Sequence, residues 1–486
     1  MQLSNMNLFR GSIRKQLLVL AALFVLINSG FSLCAEELPA PLDKMVLEDG
    51  DTIVLLGDSI THQCLYTQYF ENYIYTRFPN KRIRIHNAGV GGAKAWDALQ
   101  RFEKDVAAYK PKYVPILLGM NDGRYTPFNQ EYFETYQKDM AKVIDKIKEI
   151  GATPILMTPT MFDARARRMN PRGNSDEASR SQYNAVMAYY GAWVREVAVH
   201  SGYGYVDMYG PLNQLTVNQR KINPKFTMIK DAVHPNEPGQ VVMAFAMVND
   251  LGLPRGLSSI RIQNGQGKGI QARAAGGKVT DLKETEEGLE FNWLANSLPW
   301  VLPENADLGV SITKLGHKLT REALEIHDLK PGYYRLAIDD QEIGIFHSTA
   351  LERHIELQGN KQTPQYQQAA KVAELNAVRN SGPVRKLRGE WSRFQGYART
   401  LADKPKDPAA LEAWEKKIAA YKKQIDTMDQ RVEQANAEAK NIEEEIFKIN
   451  QPVCRKFSLK RVPAPKKKKE KELKKRKPLR QSNLSM

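Results

Sequence analysis

Ser59 closes an apolar run in VLLGDSITHQC (54–64), at the point where a strand would end. Of the eight histidines, His234 stands apart in KDAVHPNEPG (230–239), with Asp231 three residues before it on a loop carrying two prolines. A serine hydroxyl becomes a nucleophile when an imidazole takes its proton, and a carboxylate beside the imidazole fixes the tautomer and stabilises the cation. One turn of chain suffices to bring Asp231 against His234. Nucleophilic hydrolysis also needs donors for the developing oxyanion. The stretch HNAGVGGAKAW (86–96) has glycines that allow close backbone approach and leave an amide free, and LLGMND (117–122) offers the side-chain amide of Asn121. His62 lies nearest to the serine but reads as a pocket or packing residue, not a second base. Asp58 reads as a turn residue bonding backbone amides, and Asp122 is open between loop bonding and substrate contact. His200, His327 and His347 show no ligand spacing, so no metal and no cofactor are expected.

The elements that must position these residues lie in 50–254. Short apolar runs at 52–56, 83–87, 113–118, 153–158 and 204–208 alternate with helical patterns near 66–78, 94–109, 129–150, 177–201 and 239–251. Apolar strands separated by helices imply a parallel sheet covered on both faces, a three-layer α/β/α doubly wound domain. Ligands of such sheets gather at the carboxyl ends of the strands. Ser59, the glycine block and Asn121 all follow strands at that end.

Four blocks in this order resemble the SGNH or GDSL hydrolases: Gly57-Asp58-Ser59, Asn87-Ala88-Gly89-Val90-Gly91-Gly92, Gly119-Met120-Asn121-Asp122 and Asp231-Ala232-Val233-His234. The resemblance covers roughly residues 50–254 and implies a flavodoxin-like sheet. It implies Ser59 as nucleophile, His234 as base and Asp231 as its partner. It further implies an oxyanion hole made of the Ser59 amide, a glycine amide and the Asn121 side chain. Family alignment favours Gly92 for the glycine, with Gly91 one residue away. Ile60 replaces the leucine of the GDSL name, and no Gly-x-Ser-x-Gly elbow surrounds Ser59.

The rest of the chain divides by texture. Residues 1–35 read as a signal peptide, with Arg10, Arg14 and Lys15 before the apolar run Leu17 to Ile27 and small residues after it. Residues 36–254 form the hydrolase domain. Residues 255–360 read as a small β-rich module containing a hairpin turned at Asp339-Asp340. Within it, NSLPWVLPENADLG (296–309) is a proline-rich apolar loop whose Trp300 could serve as a lid. Residues 361–452 carry apolar positions three and four apart, among them Leu387, Trp391, Phe394, Ala398, Ile418, Met428, Ala435 and Ile446, a heptad seam that implies an antiparallel helical hairpin, with an intermolecular coiled coil as the alternative. A break is expected at Ser381-Gly382-Pro383, and DKPKDP (403–408) supplies the turn. Residues 453–486 read as a basic disordered tail. Positions 455–480 alone hold fourteen Lys or Arg and two Asp or Glu, and so carry +12 of the net +16. Basicity confined to a tail argues against a specific nucleic-acid-binding domain and for contact with an anionic envelope polymer or membrane surface. Three cysteines, Cys34, Cys64 and Cys454, give no disulfide framework.

Residues and resemblance together lead to an exported serine ester hydrolase, periplasmic, envelope-bound or extracellular, working through an acyl-enzyme. The expected substrate is an acylated small molecule or an O-acetylated carbohydrate. A lysophospholipase-type acylhydrolase is the first alternative. An envelope-binding or scaffolding protein with a secondary hydrolase domain is the second.

Overall fold

The structure is a computed structural model that describes residues 39–170, 177–264 and 269–465. The expected signal segment 1–35 and the tail from 466 onward lie outside the described residues.

Five apolar runs form β1 (Thr52–Gly57), β2 (Arg84–Gly89), β3 (Tyr113–Leu117), β4 (Thr153–Met157) and β5 (Gly204–Val206). They pair in parallel in the order β2-β1-β3-β4-β5, a doubly wound α/β sheet whose winding direction reverses between β1 and β3. That reversal opens a crevice at the carboxyl ends of the two strands. Strands β1 and β3 are buried along almost their whole length, which is why they read as continuous apolar runs and show no alternation. Helices connect them: α1 (Ser59–His62), α2 (Tyr66–Arg77), α3 (Ala95–Asp105), α4 (Gln130–Glu149), α5 (Glu177–Ser201), α6 (Tyr209–Arg220) and α7 (Glu237–Asp250). Helix α6 has no counterpart among the helices read from sequence. Its stretch YGPLNQLTVNQR buries only Leu212 and Thr216, too few positions to leave a periodic signal.

Beyond the hydrolase domain, two sheets face each other across a shared core of Ile262, Phe291, Trp293, Leu324, Leu336 and Phe457. One sheet orders β13 (Ile355–Glu356), β10 (Glu322–Ile326), β6 (Ser258–Asn264) and β7 (Ile270–Ala275). The other orders β12 (Gln341–His347), β11 (Tyr333–Ile338), β14 (Arg455–Val462), β9 (Gly288–Ala295) and β8 (Gly277–Thr285). Strand β14 corrects the tail boundary at 453. Arg455–Val462 is the middle strand of its sheet, paired on both sides. Phe457 and Leu459 point into the core while Lys456 and Lys460 face out, so a one-face-solvated strand hid in a basic composition.

Trp300 is no lid. It is buried in the hydrolase core, where its ring Nε1 donates to the Tyr69 carbonyl at 2.9 Å and its edge meets the Tyr73 ring at 5.2 Å. The proline-rich loop therefore docks the β module onto α2.

The segment 364–449 is helical: α8 (Pro364–Arg379), α9 (Arg385–Ala402), α10 (Pro408–Ile425) and α11 (Met428–Ile449). Between α8 and α9 the expected break is a single π turn, Asn380–Val384, with Pro383 inside it. Proline lacks the N–H that an α turn needs, and the wider turn absorbs this without ending the helix. The returning arm is interrupted at Asp426-Thr427. Its antiparallel course shows in the cross-arm bonds Trp414 to the Thr400 carbonyl (2.7 Å), Arg431 to Glu390 (2.8 Å), Lys386 to Glu438 (3.0 Å) and Gln368 to the Ile449 carbonyl (2.9 Å).

Seam residues Leu387, Trp391, Met428 and Ala435 join the core of the hydrolase domain. Buried polar contacts fasten the same face. Arg388 pairs with both oxygens of Asp105 at 2.8 Å, Arg379 with Glu71 at 3.2 Å, and the Tyr75 hydroxyl donates to Glu443 at 2.7 Å.

Candidate active site

Strand β1 ends at Gly57, and Asp58 caps α1 by accepting the Ile60 amide at 2.9 Å. This puts Ser59 on the first turn of a one-turn helix at the carboxyl edge of the sheet. The end of β2 approaches it so closely that a Cβ on Gly89 would lie 2.4 Å from the His62 amide nitrogen. Only glycine fits there.

His234 reaches Ser59 from a loop just before α7. Asp231 accepts the backbone amides of Val233 (3.0 Å) and His234 (2.8 Å) through one oxygen, and the His234 ring Nδ1 donates to the other at 2.7 Å. Ring Nε2 lies 2.8 Å from Ser59 Oγ. With Nδ1 donating to a carboxylate, Nε2 is left as the acceptor of the serine hydroxyl. Partial burial would raise the Asp231 pKa, but the bonds from the His234 ring and the two amides outweigh it and hold the carboxyl below its ordinary range. Ala232 takes a left-handed φ of 77° within this turn, and its carbonyl accepts the Asp163 amide at 2.9 Å, which pins the turn in place.

The opposite side of Ser59 is formed by the loops after β2 and β3. The Gly91 amide donates to His62 Nδ1 at 3.2 Å, whereas the Gly92 amide has no hydrogen-bond partner among the described residues. Gly92 has φ +68°, a conformation that suits glycine. The Asn121 amide nitrogen donates to the Ala93 carbonyl (3.1 Å) and Asp58 (3.4 Å), and its oxygen accepts the Tyr125 hydroxyl at 2.9 Å. These contacts fix the amide with its NH2 toward the Asp58–Ala93 side. Of the two alternatives open for Asp122, the geometry takes loop bonding. Its carboxyl accepts the amides of Ala95 (3.0 Å) and Gly119 (3.1 Å), tying the third loop to the start of α3. Burial pushes the Asp58 and Asp122 pKa values up to about 7.

The His62 ring is engaged by the Gly91 amide, while Ser59 Oγ is met by His234. Burial, then the cations Arg388, Arg385 and Arg101, pull the His62 pKa down to about 4, so the ring is neutral and accepts the Gly91 amide.

Two clefts flank the serine. One of about 590 Å³ is lined by Gly92, Trp96, Asn121, Tyr125, Tyr132 and Arg399. The other, about 820 Å³, is lined by Gln63, Leu65, Met169, Asp231 and His234. Tyr125, Tyr132 and Arg399 were not among the residues read from sequence. Arg399 belongs to α9, some three hundred residues from the glycine block, and no local motif marks it. Among the described residues no group of three His, Cys, Asp or Glu side chains could hold a metal ion.

A sheet of this order with a hydroxyl, an imidazole and a carboxylate in line at its carboxyl edge has the SGNH fold of serine hydrolases. Residues 55–242 match the model of the GDSL-like lipase/acylhydrolase family, and this domain is that of a carboxylic ester hydrolase. An acetylxylan esterase of Geobacillus stearothermophilus is 26% identical over 230 residues, 43% of this chain and 97% of that protein. An uncharacterized lipoprotein of Bacillus subtilis (strain 168) is 36% identical over 123 residues, 22% of this chain and 48% of that protein, so about half of it is matched. A gut microbial diltiazem-metabolizing enzyme of solved structure has the same fold along most of the chain. The TM-score is 0.73 at 24% identity, with 87% of this chain and all of that one covered.

Proposed function

We propose that the protein is an exported serine esterase that removes small acyl groups, acetyl above all, from carbohydrate through an acyl-enzyme. The observation that carries this reading is the line Ser59 Oγ, His234 Nε2 at 2.8 Å, His234 Nδ1 and Asp231 at 2.7 Å. His234 takes the Ser59 proton as Oγ attacks the ester carbonyl, and Asp231 stabilises the imidazolium so formed. The oxyanion is received by the amides of Ser59 and Gly92 and by the Asn121 side chain. His234 then gives its proton to the leaving alkoxide, and water, activated by the same ring, releases the acid. The acetylxylan esterase relative supports the acetylated-sugar substrate, and the aromatic cleft beside Gly92 offers Trp96, Tyr125 and Tyr132 for stacking a sugar ring. Export is supported by the charged-then-apolar leader, and the basic tail would hold the enzyme near an anionic surface.

The test is turnover of p-nitrophenyl acetate by the wild type and by Ser59→Ala with an unchanged melting temperature. Ser59→Ala loses essentially all serine-dependent turnover; equal rates in the two proteins would end the reading. Acetylated xylooligosaccharides and lysophospholipids compared at equal concentration decide the substrate class, and faster release from the lipid would overturn the carbohydrate assignment.

A further inference from the structure

Helix α9 reaches across the molecule to the glycine loop. Gln395 Nε2 donates to the Gly91 carbonyl at 2.9 Å, and one turn on, Arg399 Nη2 donates to the Gly92 carbonyl at 2.6 Å. Gln395 is buried, and Arg399 is itself aligned by a two-pronged pair with the buried Asp97, at 2.7 and 2.6 Å. Asp97 in turn accepts the Lys94 amide at 2.8 Å at the start of α3. The clamp is thus rigid from its far end to its tip.

We propose that Gln395 and Arg399 are positioning residues that aim the Gly92 amide at the oxyanion. The inference rests on the reading above, in which Gly92 N–H is one of the oxyanion donors. The carbonyl of Gly91 and the N–H of Gly92 belong to one planar trans peptide and point in opposite directions. Holding that oxygen away from the serine therefore turns the N–H toward it. The peptide lies between two glycines, with no Cβ on either side to resist rotation, so little in the loop itself stops it from flipping. Arg399 fixes the next peptide plane in the same way. An oxyanion hole helps only if its donors are aimed before the charge develops, since reorienting them during the reaction costs part of the stabilisation. The helical hairpin, whose pattern reads as plain structure, thereby completes the active site.

The experiment uses the full chain. Gln395→Glu keeps size and helix propensity but replaces the donor by an acceptor facing the Gly91 oxygen. Active sites are counted by stoichiometric organophosphate labelling of Ser59, so that partial unfolding lowers the count and leaves kcat per site unaffected. With p-nitrophenyl acetate, kcat per site is expected to fall about 10- to 100-fold, less than the loss from deleting an oxyanion donor outright, with KM within about twofold. The affinity for phenylboronic acid, whose adduct with the serine puts an oxygen in the oxyanion site, falls by a similar factor. Arg399→Lys, which keeps one donor, falls less than Arg399→Ala. An unchanged kcat per site, or a rise in KM alone, overturns the clamp. If Gln395→Glu does not fold, Gln395→Met takes its place, with the same fall in kcat per labelled site expected and the same outcomes overturning the clamp. Full turnover by Ser59→Ala would instead sink the underlying reading, so the two failures are distinct.

Discussion

The two sides of the site are held in different ways. On the proton-transfer side, Asp231, Val233 and His234 bond one another within four residues, and the sequence-local turn delivers the imidazole to Ser59. On the oxyanion side, the Gly91-Gly92 peptides are grasped by Gln395 and Arg399, side chains about three hundred positions away. A polar triad can be organised by short-range hydrogen bonds because each partner is itself a side chain or an adjacent amide. A bare glycine backbone has no such handle and must be gripped from outside. In the mechanism proposed above, the α/β domain and the helical arm therefore meet at the glycine loop that would supply the oxyanion donor.

The largest effect separating the two sides is expected from Asp231→Asn. The variant keeps the shape but lets the ring turn to the wrong tautomer, and kcat should fall about 10⁴-fold with the fold intact. The acid limb of its pH–rate profile should also lie at a different pH from that of the wild type measured alongside, because the imidazolium loses its carboxylate partner. A fall of less than tenfold would mean that Asp231 merely holds the turn. Next comes Asn121→Ala, which removes a single donor and should cost about 10²- to 10³-fold in kcat with little change in KM. Measured together, the two variants should be less than additive if they act on one transition state.

This asymmetry also explains what could be read without a structure. Ser59, Gly92, Asn121 and the pair Asp231 and His234 stand in four short blocks whose order alone was informative, and each sits where a strand or loop of the α/β unit ends. The sheet followed from the apolar runs, since strands buried on both faces advertise themselves by composition. Strand β14 did not, because two inward residues, Phe457 and Leu459, were outweighed by the cations alternating with them. Gln395 and Arg399 were illegible for a further reason. On a helix with four arginines among its polar positions, a residue that grips a distant carbonyl has the same identity as one that faces water. Arg388 is a like case, fully buried within the same polar stripe.

Arg388 offers the contrast between anchoring the arm and aiming its tip. It is paired to both oxygens of Asp105 in the interior, beside Arg101, which meets Asp105 at 2.5 Å. Removing one partner of a buried pair leaves the other charge poorly compensated, so Arg388→Met should destabilise the protein by about 3 kcal/mol. Urea unfolding would show this as a lower midpoint at unchanged slope. At temperatures where the variant stays folded, kcat per labelled site should match the wild type. A rate loss as large as that of Gln395→Glu would mean that aiming is spread along the whole helix.

The smallest expected effect concerns His62, which holds the neighbouring peptide through the Gly91 amide. Only the neutral ring can accept that N–H. Burial, reinforced by Arg388, Arg385 and Arg101, lowers its pKa to about 4 from 6.5. Between these values the unfolded chain binds more protons than the folded one. The His62 contribution is therefore complete above about pH 6.5 and is lost as the pH falls toward 4. His86, also buried and lowered to about 4, acts with the same sign, while Asp58 and Asp122, raised to about 7, act with the opposite one as their stability is lost with rising pH. The readout is for that reason a difference between two proteins and not an absolute slope. His62→Gln, whose side chain does not titrate in this range, should be relatively more stable at pH 5 than at pH 7.5 when each is referred to the wild type. Urea midpoints at half-unit pH steps measure it. A wild-type-minus-variant difference that stays flat across that window would place the His62 ring in solvent, free of the glycine loop.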